Sequence, residues 1–160
     1  MKKQRRKYER PKSPFDKERI ESEKKIMEKY GLKRKKELWR AEALLRKYRR
    51  LARELASKKD KELEKTLIEK LKTIGVLSEG SLDDVLGLTV ENILDRRLQT
   101  IVYKKGFANS IKQARQMIVH GHVFIDNRKV LFPSYIVKKD EEDKIQVKLP
   151  LRVEKSGNQN

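Results

Sequence analysis

The 160-residue chain contains no cysteine, so disulfides and thiolate metal sites are excluded. Nowhere does it hold a run near the roughly 20 apolar residues that a membrane-spanning helix requires. Met1-Lys2-Lys3-Gln4-Arg5-Arg6-Lys7 leads into no apolar stretch, so the N-terminus is not read as a secretory signal. Aromatic residues make up only 6%, with a single tryptophan. Hydrophobic residues reach only 36%, low for a self-sufficient globule. Acidic residues are the last shortage, at 24 against 42 Lys and Arg, which leaves a formal net charge of +18. An excess of that size concerns partners rather than fold. It points to a polyanion, nucleic acid first and an anionic membrane second.

The charge is concentrated at one end. Residues 1–75 carry 28 basic and 13 acidic side chains, net +15, whereas 76–160 carry 14 and 11, net +3. The first half reads as an electrostatic clamp that orders fully against its partner, and the second half must supply a more shaped surface. Residues 1–13 hold seven basic side chains, among them Lys2, Lys3, Arg5, Arg6, Lys7 and Arg10, and read as an extended basic arm.

From Ser13-Pro14, read as an N-cap followed by proline at the first helical position, a helix is predicted to Tyr30, ended by Gly31. A second is predicted over 36–57. With about 100° per residue and Leu44 at zero, Tyr48, Leu51 and Leu55 form an apolar stripe. Arg46, Arg49, Arg50 and Arg53 then fall on the opposite face. Like charges at these spacings repel, and phosphates lying along the helix would relieve them, so this face and Arg40 are candidate RNA contacts. Asp60 is placed to cap a third helix with Leu63, Leu67, Leu71 and Ile74 on its apolar face and Gly75 as its stop. Ser81 to Asp84 resembles a capping box.

Thr89 is expected to cap one helix carrying Ile93, Leu94, Leu98, Ile101 and Val102 and ending at Gly106. Ser110 and Gln113 form a second capping box, opening a helix that runs to His120 and closes at Gly121. The period then changes to two. Val123 and Ile125 face one way; Val130 and Phe132 follow a turn at Asp126-Asn127-Arg128. Residues 135–137 are expected to extend the sheet, 138–143 to form a charged loop, and 145–149 to make the last strand. The fold class is α+β, a helical basic N-terminal region followed by two helices on a small, mostly antiparallel sheet. Its divisions are an arm at 1–13, a helical region at 14–88, a second domain at 89–150 and a tail at 151–160.

Helix starts attract anions. Ser110, Lys112, Gln113, Arg115 and Gln116 at one such start, with Arg96 and Arg97 before it, are candidate RNA contacts. Arg97 has a competing structural reading, pairing with Asp95 or Glu91, and Arg115 another, anchoring the sheet. His120 and His122 lack a third ligand by spacing, so a cap or an RNA contact is favoured over a metal. Arg128 and Lys129 complete the set. Asp83-Asp84 and Glu141-Glu142-Asp143 read as solvated acids. Trp39 and Tyr48 read as packing residues; Tyr8 and Phe107 are candidates for base stacking. No catalytic set, metal or cofactor is expected.

Several motifs together carry a resemblance. Leu94-Asp95-Arg96-Arg97-Leu98, Gly106-Phe107-Ala108, Ala114-Arg115-Gln116, Gly121-His122-Val123 and Pro133-Ser134-Tyr135-Ile136-Val137 resemble the S-four (S4) RNA-binding domain. Leu38-Trp39-Arg40-Ala41-Glu42, Ile74-Gly75-Val76-Leu77 and Asp84-Val85-Leu86-Gly87-Leu88 extend the likeness to the archaeal and eukaryotic branch of the S-four family of small-subunit ribosomal proteins. The resemblance implies a primary binder of small-subunit ribosomal RNA, in the cytoplasm, that nucleates assembly of the subunit body and influences decoding accuracy. It further implies a neighbour in ribosomal protein S-five and proximity to incoming messenger RNA. The chain departs from the family at Arg128, where a glycine is usual, at Glu141-Glu142-Asp143 in place of a Gly-Asp turn, and in its short C-terminal tail. The competing readings are a non-ribosomal RNA-binding protein with the same domain, acting in rescue or RNA modification, and a membrane-surface protein using basic amphipathic helices. The second leaves the helix-plus-sheet unit unexplained.

Overall fold

A computed structural model describes residues 7–58, 60–77 and 80–148. Helix α1, Lys17–Lys29, starts three residues later than the Ser13-Pro14 reading placed it, because Asp16 is the cap and its carboxylate accepts from the Arg19 amide. The turn at Gly31, with φ +58°, leads into α2, Lys35–Lys58. The buried positions of α2 are Leu38, Ala41, Leu45, Tyr48, Ala52 and Leu55, spaced alternately by three and four. That stripe is centred about 70° from Leu44, which lies at its edge and is only half-buried. Helix α3, Lys61–Ile74, is capped by Asp60 and closed by the left-handed Gly75, as the sequence predicts. It buries Leu67 and Leu71 and leaves Leu63 exposed. Helix α4, Leu82–Gly87, opens with the capping box of Ser81 and Asp84.

The single helix expected after Thr89 is two: α5, Val90–Asp95, and α6, Leu98–Lys104. Between them Arg97 is extended, at φ −74° and ψ 142°. The cause is the segment 133–137. Ile136 pairs with Arg97 in an antiparallel bridge. The Val137 amide donates to the Arg96 carbonyl at 2.9 Å, and the Leu98 amide donates to the Tyr135 carbonyl at 2.7 Å. Breaking the helix thus satisfies the open donors at the start of α6 and the open backbone of the segment facing it. Residues 135–137 are consequently not a strand of the sheet, as the sequence reading had them.

Helix α7, Ile111–Val119, is capped by Ser110, whose hydroxyl accepts from the Gln113 amide. The return bond of the expected box is displaced by one residue, since Gln113 accepts from the Asn109 amide. The sheet follows: β1, Val123–Ile125, β2, Arg128–Lys129, and β3, Ile145–Val147, antiparallel in the order β2-β1-β3. Its registers pair Ile125 with Arg128 and Val123 with Val147. Asp126 and Asn127 both take positive φ, at 50° and 61°, as a two-residue hairpin turn of the mirror-image type requires. Phe132, read with Val130 as following the turn, is 70% exposed because β2 has already ended. The charged loop contains a short helix α8, Lys139–Glu142.

Two apolar cores result. The larger joins Tyr30 and Leu32, the α2 stripe, Leu67, Leu71, Leu77, Val85 and Leu88 with Ile93 and Leu94. The second joins Leu98, Ile101, Val102, Ala114, Met117 and Ile118 with Val123, Ile125, Val137 and Ile145. The basic helical half therefore packs around a core despite its composition, and Leu77, Val85, Leu88 and the α5 residues Ile93 and Leu94 complete it. Architecture and class are α+β, a helical region followed by two helices on a small antiparallel sheet.

Candidate nucleic-acid interface

Polar ties close the seam between the two cores. Glu37, in the first turn of α2, receives Arg97 Nη2 at 2.9 Å on Oε2 and Arg115 Nη2 at 2.9 Å on Oε1. All three side chains are mostly shielded. Burial alone would raise the Glu37 carboxyl, but the hydrogen bonds and charges of Arg115 and Arg97 outweigh it and hold it below the ordinary carboxylate range. Gln99 is fully buried, and its Nε2 faces the carbonyls of Tyr30, Gly31 and Ile111 at 3.1–3.3 Å while its Oε1 accepts from Arg115. Arg96 joins the end of α3 to the second unit by donating to the carbonyls of Ile74 and Val137 and to Glu142 at 2.7 Å.

These geometries give protein partners to three arginines that the sequence offers as candidate RNA contacts. Arg97 pairs with neither Asp95 nor Glu91 but with Glu37, 60 residues away in sequence. Arg96 and Arg115 are likewise engaged with protein acceptors. Glu142 is the counter-charge of Arg96 rather than a solvated acid, Glu141 accepts from the Tyr135 hydroxyl, and the exposed Asp143 lies 3.3 Å from Lys105. Arg49, expected on the outer face, lies at the edge of the buried stripe and donates to the Leu88 carbonyl.

Along this seam runs a groove of about 1050 Å³. One wall is α2, which contributes Lys36, Arg40 and Lys47 at helical spacing; Lys33, Arg34 and Lys7 extend it. The other wall is Pro133, Ser134 and Ile136, and Arg97 and Arg115 lie between. Glu37 is the one carboxylate in the lining and is already paired. A cationic face of this density is complementary to a phosphate backbone. Of the arginines singled out on α2, only Arg40 lines the groove. Arg46, Arg50 and Arg53 are exposed on a different face, where Arg46 is 3.8 Å from Glu9 and Arg50 is 3.5 Å from Glu54.

Sequence reasoning missed Lys33, Arg34, Lys36 and Lys47. Lys36 and Lys47 share one face of α2 with Arg40, but the reference direction for the helix was set on Leu44 and not on the stripe that is buried; Lys33 and Arg34 precede the helix.

The other candidates are dispersed. Lys112 and Gln116 are exposed on α7, while Ser110 and Gln113 serve the cap. The rings of His120 and His122 lie parallel, 6.3 Å apart. Among the described residues no group of three His, Cys, Asp or Glu forms a metal-ligating set. Arg128 and Lys129 are exposed on β2, and Arg10 is exposed in the arm. Lys2, Lys3, Arg5 and Arg6 lie outside the described residues. Trp39 and Tyr48 pack: Tyr48 is buried, and Trp39 sits 6.0 Å from Tyr8 and donates to Glu23. Glu23 is also paired with Arg19 and Lys35, which pins α1 to α2. No helix of the described residues is long and apolar enough to cross a membrane.

Fold and groove together define a class, a helix-and-hairpin module laced to a helical base whose outer faces are cationic. Residues 96–143 match the family model of the S4 domain. The chain is 51% identical to small ribosomal subunit protein uS4 of Methanothermobacter thermautotrophicus, over 89% of this chain and 86% of the relative. Against uS4 of Nanoarchaeum equitans the identity is 51%, covering 91% and 84%. Against uS4 of Korarchaeum cryptofilum it is 48%, covering 97% and 96%. The chain belongs to the uS4 family of small ribosomal subunit proteins.

Proposed function

We propose that the chain is a structural constituent of the small ribosomal subunit that binds subunit RNA in the cationic groove between its two cores and performs no covalent chemistry. The observation carrying this reading is the groove itself, in which Lys36, Arg40 and Lys47 face an otherwise acid-free lining, in a chain of the uS4 family. RNA is held there by phosphate contacts and by shape, since a folded RNA helix presents its backbone and 2′-hydroxyls rather than its base edges. Lys36, Arg40 and Lys47 stand on one helix and so keep a fixed separation, which limits the ordering cost of binding. The same reading makes the chain a primary RNA binder that nucleates assembly of the subunit body in the cytoplasm and contributes to translational accuracy. Ribosomal protein S-five is its expected protein neighbour, and incoming messenger RNA passes close by.

The test is incorporation. A tagged full-length chain should co-sediment with small subunits, and sequencing of RNA crosslinked to it should return small-subunit rRNA at a few fixed helices. Recovery of the chain in free fractions, or crosslinks scattered over unrelated RNA, would remove the ribosomal assignment.

A further inference from the structure

A second hollow shares only Lys33 and Arg115 with the RNA groove and has a different chemistry. It is a cleft of about 560 Å³. Its floor is aliphatic, formed by Ile20 and Met27 of α1 and Leu32 of the following turn. The cations Lys24, Lys33, Lys35, Lys112 and Arg115 also line it, against the single carboxylate of Glu28, which lies 4.0 Å from Lys24 on the exposed face of α1. Lys35 and Arg115 are held by Glu23 and Glu37. Lys33 and Lys112 are exposed and enter no ion pair among the described residues.

RNA is a poor match for this cleft. A phosphate backbone asks for a polar cationic track, and an unstacked base asks for an aromatic or guanidinium face. The floor has neither an aromatic ring nor a polar group, and the one guanidinium of the lining, Arg115, is already paired with Glu37. An apolar centre inside a charged rim is instead the anatomy of a protein–protein anchor pocket. The rim also fixes the sign of the partner. We infer that this cleft receives a short acidic segment of another protein, which inserts an aliphatic or aromatic side chain between Ile20, Met27 and Leu32 and sets flanking carboxylates on Lys24, Lys33 and Lys112. The ribosomal reading enters only in saying where the partner is found.

Two measurements test it. In the first, the full chain carries a photo-crosslinking residue at position 28 and is assembled into small subunits. The expected product is a crosslink to a protein segment with at least two carboxylates beside an apolar residue. A crosslink to RNA, to a segment without carboxylates, or no crosslink overturns the inference. In the second, the purified full chain is titrated with the peptide Asp-Asp-Leu-Phe-Asp-Asp and with its counterpart Asp-Asp-Ser-Ser-Asp-Asp. The first peptide should bind at least about tenfold more tightly, and Ile20→Gln and Lys24→Glu should each remove about tenfold of that affinity while the helical circular dichroism is kept. Equal binding of the two peptides, or indifference to Ile20→Gln, overturns the inference. Failure to assemble tells against the ribosomal reading alone, because the titration needs no ribosome.

Discussion

Glu37 Oε1 accepts from Arg115 Nη2 at 2.9 Å across 78 residues of sequence, and its other oxygen accepts from Arg97 at the same distance. One carboxylate from the basic helical half thus closes the seam over two arginines of the second unit, and both arginines also line the cationic groove. Removing one member of such a shielded set leaves the others charged and unpaired. Glu37→Gln should therefore lower unfolding stability by about 3 kcal/mol. Urea denaturation checks this, and a loss below about 1 kcal/mol would show that the clasp is not needed to hold the halves together.

The same carboxylate gives a pH dependence with a definite sign. Burial acts to raise Glu37 and Glu23, but their cationic and hydrogen-bonding partners prevail, so both titrate below the ordinary carboxylate range in the folded chain. Their stabilisation is complete above the unfolded carboxylate pKa and is lost as pH falls through the folded one. Glu42, raised chiefly by burial, acts in the opposite sense. The stability difference between the natural chain and Glu37→Gln should accordingly shrink on acidification through that range. A difference that stays constant across it would contradict the assignment.

Affinity for rRNA should divide by face. Replacing Lys36, Arg40 and Lys47 by Gln should weaken binding and lower the slope of log affinity against log salt by roughly one for each cation removed. Replacing Arg46, Arg50 and Arg53 in the same way should do less. Equal losses from the two triple variants would deny the groove its special place.

Gly31 tests how closely the halves approach. Its φ of +58° disfavours any side chain, and a Cβ there would lie 2.8 Å from Ile111 Cγ2 and 2.9 Å from Gln99 Nε2. Gly31→Ala should cost at least about 1 kcal/mol in thermal or chemical denaturation. Combined with Ile111→Ala, the cost should be less than the sum of the two single changes.

Leu63 and Leu71 share the helical period of α3 but not its burial, at 54% and 0% exposed. Leu71→Ala should cost about 2–5 kcal/mol through the cavity it leaves, whereas Leu63→Ala should fall within about 0.5 kcal/mol of the natural chain. Comparable costs would require a different docking of α3.

Much of this molecule is legible locally. Asp60 with Gly75, Ser81 with Asp84, and Ser110 with Gly121 mark helix ends because capping is a contact between residues three or four apart. The hairpin at Asp126-Asn127 is local for the same reason, and the motifs from Arg96 to Val137 carried the family likeness. The break at Arg97 was not legible. The periodicity of 90–104 is continuous, and only the backbone of 133–137, some 40 residues later, interrupts it. For Arg97 and Arg115 the sequence offered both an RNA contact and a structural role but not the partner they have, because Glu37 is 60 residues from the nearer of them.

By itself the sequence determined the sign and placement of the charge, the ends of most helices, the α+β class and the likeness to a ribosomal family, since each depends on composition or on neighbours along the chain. Tertiary structure alone decided which cations are left facing outward, which are neutralised in the seam, and which face of α2 lines a groove. Those outcomes depend on pairings between distant segments, and an ion pair is set by distance in space rather than by separation along the chain.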